Sequence, residues 1–265
     1  MNKQANWEQI WDRRMERSLR KWDDEEFWYE RTRSRGYGIK TSDYTDQLLS
    51  RMDLSTDRSV LDIGCGDGAI SVRLAKQSKQ VSALDFYPSY LGSLTLRTMA
   101  NGLSNLKFLN IDWFQAQIGM EIEPHDIVLA SRFRRMSPLR SFLNLMNSAS
   151  RYQCYLTWTV EYRGMDASIC EILDREYYPL PDYSIICNML ESMGISSSVE
   201  VFKVTELHRF ESESDAVDNA ARGYKVETND TNAQIASLVK SNLEVRDGFW
   251  WQESTVNWAL VRWDK

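Results

Sequence analysis

The sequence predicts an α/β fold, a doubly wound, mostly parallel sheet with helices on both faces and a helical segment in front of it. Three observations predict it. Short apolar runs alternate with helix-length stretches from Ser59 to Val160, the rhythm of a parallel sheet. A glycine-rich turn joins the first run to the helix that follows it. The composition, 43% apolar and 26% charged over 265 residues, suits one large domain or a domain with elaborations.

Taken in order, Trp7, Ile10, Trp11, Met15, Leu19 and Trp22 recur at helical spacing, which predicts an amphipathic helix within a cap over residues 1–40. That helix either packs its tryptophans on the main domain or closes over a ligand. Residues 41–265 are expected to form the main domain. Thr41 or Ser42 can cap a helix through Leu48, Leu49 and Met52. Strands are expected at Ser59–Ile63, Gln80–Leu84, Leu106–Ile111, Asp126–Ala130 and Tyr152–Val160, with helices at Ala69–Lys76, Ser89–Ala100 and Leu139–Ser150. Past Val160 the rhythm loosens. A helix from Tyr183 to Met193 stops at Gly194, a strand covers Val199–Val204, and a closing strand covers Val256–Trp263. The stretches 161–195 and 210–250, the latter with two short helices, are left as insertions on the substrate side.

Charge and cysteines exclude several classes. Lys plus Arg total 32 and Asp plus Glu 38, so the net charge is 32 − 38 = −6, a poor balance for a nucleic-acid binder. No apolar run approaches the roughly 18 residues that cross a bilayer, and the first residues carry no apolar signal core. Cys65, Cys154, Cys170 and Cys187 form no C-x-x-C pair. The expectation is a cytoplasmic protein with reduced thiols, no metal and no membrane partner.

The chemistry is concentrated after the first strand, in Val60-Leu61-Asp62-Ile63-Gly64-Cys65-Gly66-Asp67-Gly68. Glycines at alternate positions strip a strand-to-helix turn of side chains, so a ligand can approach its backbone. The spacing G-x-G-x-G differs from the G-x-G-x-x-G of dinucleotide binders, and no Lys-Ser or Lys-Thr follows to make a P-loop. Asp62 would repel a pyrophosphate but suits a ligand bearing an ammonium group. Asp85 ends the next strand nineteen residues beyond Gly66, where a carboxylate can accept both hydroxyls of a ribose.

This stretch resembles the first motif of the class I S-adenosylmethionine-dependent methyltransferases. The resemblance covers about residues 58–160 and implies a seven-stranded, Rossmann-like sheet whose last strand runs antiparallel beside the fifth. It implies S-adenosylmethionine as cofactor and S-adenosylhomocysteine as product, bound over Asp62, Gly64, Cys65, Gly66 and Gly68. Asp85 would hold the ribose, Phe86 would line the adenine pocket, and Asp112 with Trp113 would meet the adenine amino group and ring. Ser131 and Arg132, at the carboxyl end of the fourth strand, would face the transferred methyl.

Methyl transfer demands positioning and dryness more than a particular catalytic group, so none is assigned. His125 precedes the fourth strand and is expected to be structural; His208 could stand at the rim as a base. Arg132, Arg134, Arg135 and Arg163 form either an anion clamp or a solvated basic face. Trp158, Glu161 and Tyr162 end the fifth strand on the same side. The chain reads Ser131-Arg132-Phe133-Arg134 where adenine-amino and many protein-glutamine enzymes carry Asn/Asp-Pro-Pro-aromatic, and it lacks a Pro-Cys pair for cytosine chemistry. Abundant Trp and Tyr favour a roofed site for a small-molecule acceptor. A protein or peptide acceptor is the alternative, as is a non-catalytic sensor that keeps the cofactor pocket.

Overall fold

A computed structural model describes residues 6–17, 39–161, 165–224 and 230–265. Nine strands among the described residues form one sheet, ordered β1 (Ile39–Ser42), β7 (Ser198–Phe210), β9 (Phe249–Asp264), β6 (Ser150–Glu161), β5 (His125–Ser131), β2 (Ser59–Ile63), β3 (Gln80–Asp85) and β4 (Leu106–Asn110), with β8 (Glu244–Arg246) paired to β9. The strands from β4 to β6 are parallel, and β9 runs antiparallel between β6 and β7. Seven of these strands match the expected set. β1 and β8 are additions: one is four residues long, the other three and exposed throughout, too short to leave a periodic signal.

Alternate residues of the central strands enter opposite cores, which is why these strands read as nearly continuous apolar runs. Leu61, Val128, Ala130, Leu156 and Trp158 face one core, which they share with Trp11 of α1 (Trp7–Arg17), Phe142 of α5 (Leu139–Ala149) and Ile186 of α7 (Tyr183–Ser192). Val60, Ile127, Leu129 and Tyr155 face the other, covered by α2 (Tyr44–Leu49) and α3 (Ser71–Ala75). Beside it Leu91 and Leu94 of α4 (Pro88–Ala100) pack on Val72 and Ala83.

The described part of the N-terminal segment belongs to the first core. Trp11 is fully buried, with its ring centroid 4.9 Å from that of Trp158. Leu19 and Trp22 lie outside the described residues. Strand β1 straddles the boundary expected at residue 40. The expected Thr41 or Ser42 cap is replaced by Asp43, which makes no side-chain cap bond, and α2 stops at Leu49.

Strands β7 and β9 are much longer than their apolar cores suggested. Beyond the pairing of Glu161 with Asn257, they continue together to Phe210 opposite Trp250. This arm carries a satellite core in which Phe210 and Trp250 meet Ile169 of α6 (Asp166–Ile172), Ala216 of α8 (Glu213–Tyr224) and Ile235 of α9 (Asp230–Lys240). The two helices expected within 210–250 are therefore α8 and α9. The arm extends past the carboxyl end of β6, on the side of the sheet where α/β folds carry their ligands.

Candidate active site

The loop after β2 takes the shape its glycines allow. Gly64, Gly66 and Gly68 have φ of 70°, 54° and 80°, a region that side-chain-bearing residues rarely enter. A Cβ on Gly64 would lie 2.3 Å from the Phe133 ring, and one on Gly68 would lie 2.0 Å from Leu94. A Cβ on Gly66 would meet nothing within 4 Å. Two of the glycines thus serve packing, while Gly66 presents bare backbone to open space.

Strand β3 anchors the loop. The Gly64 and Cys65 amides donate to the Leu84 carbonyl at 2.8 and 3.0 Å. The Asp85 carboxylate then accepts from the Gly66 amide at 2.9 Å and the Tyr87 amide at 3.0 Å. Burial pushes the Asp85 carboxyl above its ordinary range, against the pull of these amides. Asn110, ending β4, donates to the carbonyls of Asp85 and Phe86 and so fixes the turn that aims the acid.

Asp62 lies beneath the loop, 1% exposed, accepting from the Ser71 hydroxyl at 2.5 Å. Burial raises its pKa to about 6; the Ser71 bond opposes the rise, the nearby Asp85 adds to it and the Arg132 guanidinium lowers it. Two buried carboxylates on neighbouring strands favour a ligand bearing positive charge or hydroxyl donors. Cys65 is buried in the same loop, and burial pushes its thiol up, so it stays a thiol and fills space.

The remaining expected contacts divide. The Phe86 ring is 45% exposed, with the Arg135 guanidinium 5.1 Å from its centroid. Asp112 accepts from the Phe114 amide at the start of a short 3-10 turn, and Arg135 approaches it at 3.6 Å. Trp113 departs from expectation. Its ring is 2% exposed and meets Phe142 edge-on in the main core, because the turn capped by Asp112 rotates it inward. Ser131 is also buried, its hydroxyl 2.8 Å from that of Tyr44.

Tyr44 is the site residue that sequence reasoning missed. From the start of α2 its hydroxyl reaches Ser131 and, at 2.7 Å, the Thr157 hydroxyl, joining the carboxyl ends of β5 and β6. The Arg132 amide donates to the same Thr157 oxygen at 2.9 Å. Arg132 has φ 55°, and its guanidinium lies 4.2 Å from the centre of the Tyr44 ring. Arg134 instead lies over Trp158 at 4.7 Å. Arg163 and Tyr162 fall outside the described residues.

The histidines separate as well. His125 is buried at the far end of the sheet, bonded to the Ser82 hydroxyl at 2.8 Å and the Glu123 carbonyl at 2.6 Å, and burial lowers its pKa. His208 does not follow a strand but sits within β7, opposite Gln252, with Nε2 3.9 Å from a Glu206 carboxylate oxygen.

A parallel sheet flanked by a reversed hairpin, a glycine loop after its first parallel strand and a buried acid ending the next make up a fold of the class I methyltransferase kind. The chain belongs to the methyltransferase-domain family, whose profile matches residues 54–243. It is 33% identical over 175 residues to an uncharacterised protein of Haemophilus influenzae, a match covering 66% of this chain and 64% of that one. Over 94 residues it is 31% identical to the release factor glutamine methyltransferase of Xylella fastidiosa, covering 35% of this chain and 33% of that enzyme. The chain thus spans less than two thirds of the length of these curated relatives. Among solved structures, a methyltransferase candidate from Bacillus halodurans C-125 shares the fold, at 18% identity and a TM-score of 0.59, over 83% of this chain and 98% of that one. Among the described residues no helix is long and apolar enough to cross a membrane.

Proposed function

We propose that this chain transfers a methyl group from S-adenosylmethionine to a small-molecule acceptor, releasing S-adenosylhomocysteine. The observation that carries the reading is the Gly64–Gly68 loop, bare at Gly66 and hooked by its amide to the Asp85 carboxylate. Bound there, the cofactor supplies a methyl carbon on a positively charged sulfur, open to in-line attack. The work left to the protein is binding, orientation and exclusion of water. Asp85 is the acceptor for the ribose hydroxyls, Asp62 supplies negative charge beneath the loop, and Phe86 and Asp112 border the adenine. Gly64, Cys65 and Gly68 shape the loop, and Ser131 reaches the site through its bond to Tyr44 rather than by touching ligand.

The small-molecule reading draws on the satellite core of α6, α8 and α9, which stands beyond the carboxyl edge of the sheet and can roof a pocket. A protein acceptor is the second reading, favoured by the release factor relative. Against it stands Ser131-Arg132-Phe133-Arg134 at the position where many protein-glutamine enzymes carry Asn-Pro-Pro-aromatic. The net charge of −6 disfavours nucleic acid. A cytoplasmic location belongs to the same reading and is supported by four free cysteines.

The test begins with calorimetric titration of S-adenosylmethionine and S-adenosylhomocysteine into the protein, and failure of both to bind would sink the reading. Labelled methyl transfer from S-adenosylmethionine is then followed into a metabolite extract and, separately, into a protein fraction. Label in the small-molecule fraction is expected. Label in a protein band selects the second reading, and binding with no transfer selects a sensor.

A further inference from the structure

Three arginines follow β5, and two of them are engaged. Arg134 lies over Trp158 and Trp258, at 4.7 and 5.9 Å. Arg135 reaches the Asp112 carboxylate at 3.6 Å and covers Phe86. Arg132 is stacked on a ring as Arg134 is, but lacks the carboxylate partner that Arg135 has. It is half-buried, its cation rests on the Tyr44 ring at 4.2 Å, and no carboxylate among the described residues comes within ion-pair distance of it. The Tyr44 face fixes the guanidinium plane but uses none of its five N–H donors.

The placement is specific. A residue with a side chain holds φ 55° here, a conformation that costs energy unless its surroundings enforce it. The Arg132 amide is tied to Thr157, and Thr157 is tied through Tyr44 to Ser131, so three elements turn the guanidinium to one spot. That spot is two residues past Ala130, which pairs with Ile63 immediately before the glycine loop, and no ion pair joins Arg132 to Asp62. An anion and a cation held apart beside an open loop match a zwitterion, whose ammonium and carboxylate need opposite partners a few ångströms apart.

We propose that Arg132 is the receptor for a carboxylate at this site, the carboxylate of the amino-acid head of S-adenosylmethionine and S-adenosylhomocysteine. The inference rests on the cofactor reading above. An acceptor carboxylate would offer the same chemistry, and the test separates the two sources.

The experiment is calorimetric titration of two ligands into wild type, Arg132→Gln and Arg132→Lys. S-adenosylhomocysteine carries the zwitterionic head. 5′-Methylthioadenosine keeps the adenine, ribose and thioether but lacks that head. Arg132→Gln is expected to weaken S-adenosylhomocysteine about ten- to a hundred-fold, as loss of a charge-assisted bond does, while leaving methylthioadenosine unchanged. Arg132→Lys keeps the charge without the fork and is expected to fall between. Retained methylthioadenosine binding also proves that the variant pocket is folded. Equal loss of both ligands would assign Arg132 a structural role and overturn the proposal. Unchanged affinity for both would overturn it too, directing the search to an acceptor carboxylate. Wild type that binds neither ligand would overturn the cofactor reading along with it.

Discussion

The Gly66 amide donates to the Asp85 carboxylate at 2.9 Å across nineteen residues of chain, so the loop and the acid expected to serve one ligand already hold each other. The same carboxylate accepts from Tyr87, and a carboxylate has lone pairs to spare beyond these bonds. Asp85→Ala is expected to lose about 1.5 to 3 kcal/mol of S-adenosylhomocysteine binding, the worth of hydrogen bonds to a charged group. Titration of the variant beside wild type measures it. An unchanged affinity would place the ribose elsewhere.

The three loop glycines are expected to rank by what surrounds them. Gly68→Ala drives a methyl into Leu94, which is fully buried and cannot retreat; with the left-handed backbone added, the loss is about 3 kcal/mol. Gly64→Ala strikes Phe133, a half-buried ring stacked on Phe142 at 5.2 Å, and falls slightly below. Gly66→Ala meets no atom and bears only the backbone cost, about 1 to 2 kcal/mol, yet it puts a methyl where the ligand would lie. Urea unfolding with titration should find Gly66→Ala the most stable of the three and a poor binder.

Asp62 makes stability depend on pH in a direction unusual for a carboxyl group. Its pKa is about 6 in the folded chain against 3.8 for an ordinary aspartate carboxyl, so between those values the native state holds more proton than the unfolded one. Stability therefore falls as pH rises through that window, by up to about 3 kcal/mol. The raised pKa of Asp85 acts in the same sense, so the contribution of Asp62 is read as a difference. Asp62→Asn should be more stable than wild type at pH 7 and less sensitive to pH between 4 and 6.5, by thermal unfolding without ligand. Equal pH slopes for the two proteins would rule out a buried, destabilised carboxylate.

Legibility followed the range of the interaction. Asp62, the three glycines and Asp85 were readable because a strand, a turn and the next strand fix them locally, and the backbone geometry admits few other residues. The inward course of Trp113 was not readable, because an aromatic after a capping acid looks the same in sequence whether the turn points it inward or outward; its packing on Phe142 sets it. Tyr44 left no signal, since its partners lie 87 and 113 residues away and a tyrosine opening a helix is ordinary. The arm was shortened for a related reason. Glu206, His208 and Arg209 break the apolar run that marks a strand, although their backbones continue to pair with β9.

The N-terminal helix is expected to be structural over its described length. Trp11 is fully buried against Trp158 in the same core as Leu61 and Phe142. Trp11→Ala would remove a large ring from a filled space, at about 3 to 5 kcal/mol. A ligand-gating lid predicts the opposite pattern, with stability kept and affinity changed. Denaturant unfolding and cofactor titration on this one variant distinguish the two.

Tyr44 gives the sharpest separation of a hydroxyl from its ring. Burial pushes the phenol pKa up, against the pull of Arg132, so the group stays protonated and acts as a clamp rather than a base. Tyr44→Phe keeps the ring on which Arg132 rests and its edge contact with Trp258 at 5.1 Å. It leaves the Ser131 and Thr157 hydroxyls, both buried, short of a partner. The expected loss is about 1 to 3 kcal/mol, with the carboxyl ends of β5 and β6 loosened first. Hydrogen exchange should show faster opening at Arg132, whose amide depends on Thr157, than at Val128 in mid-strand. Tyr44→Leu removes ring and hydroxyl together, so Arg132 also loses its platform. A fall in S-adenosylhomocysteine affinity in Tyr44→Leu but not in Tyr44→Phe would locate the binding role in the stacked guanidinium. An equal fall in both would locate it in the hydroxyl network.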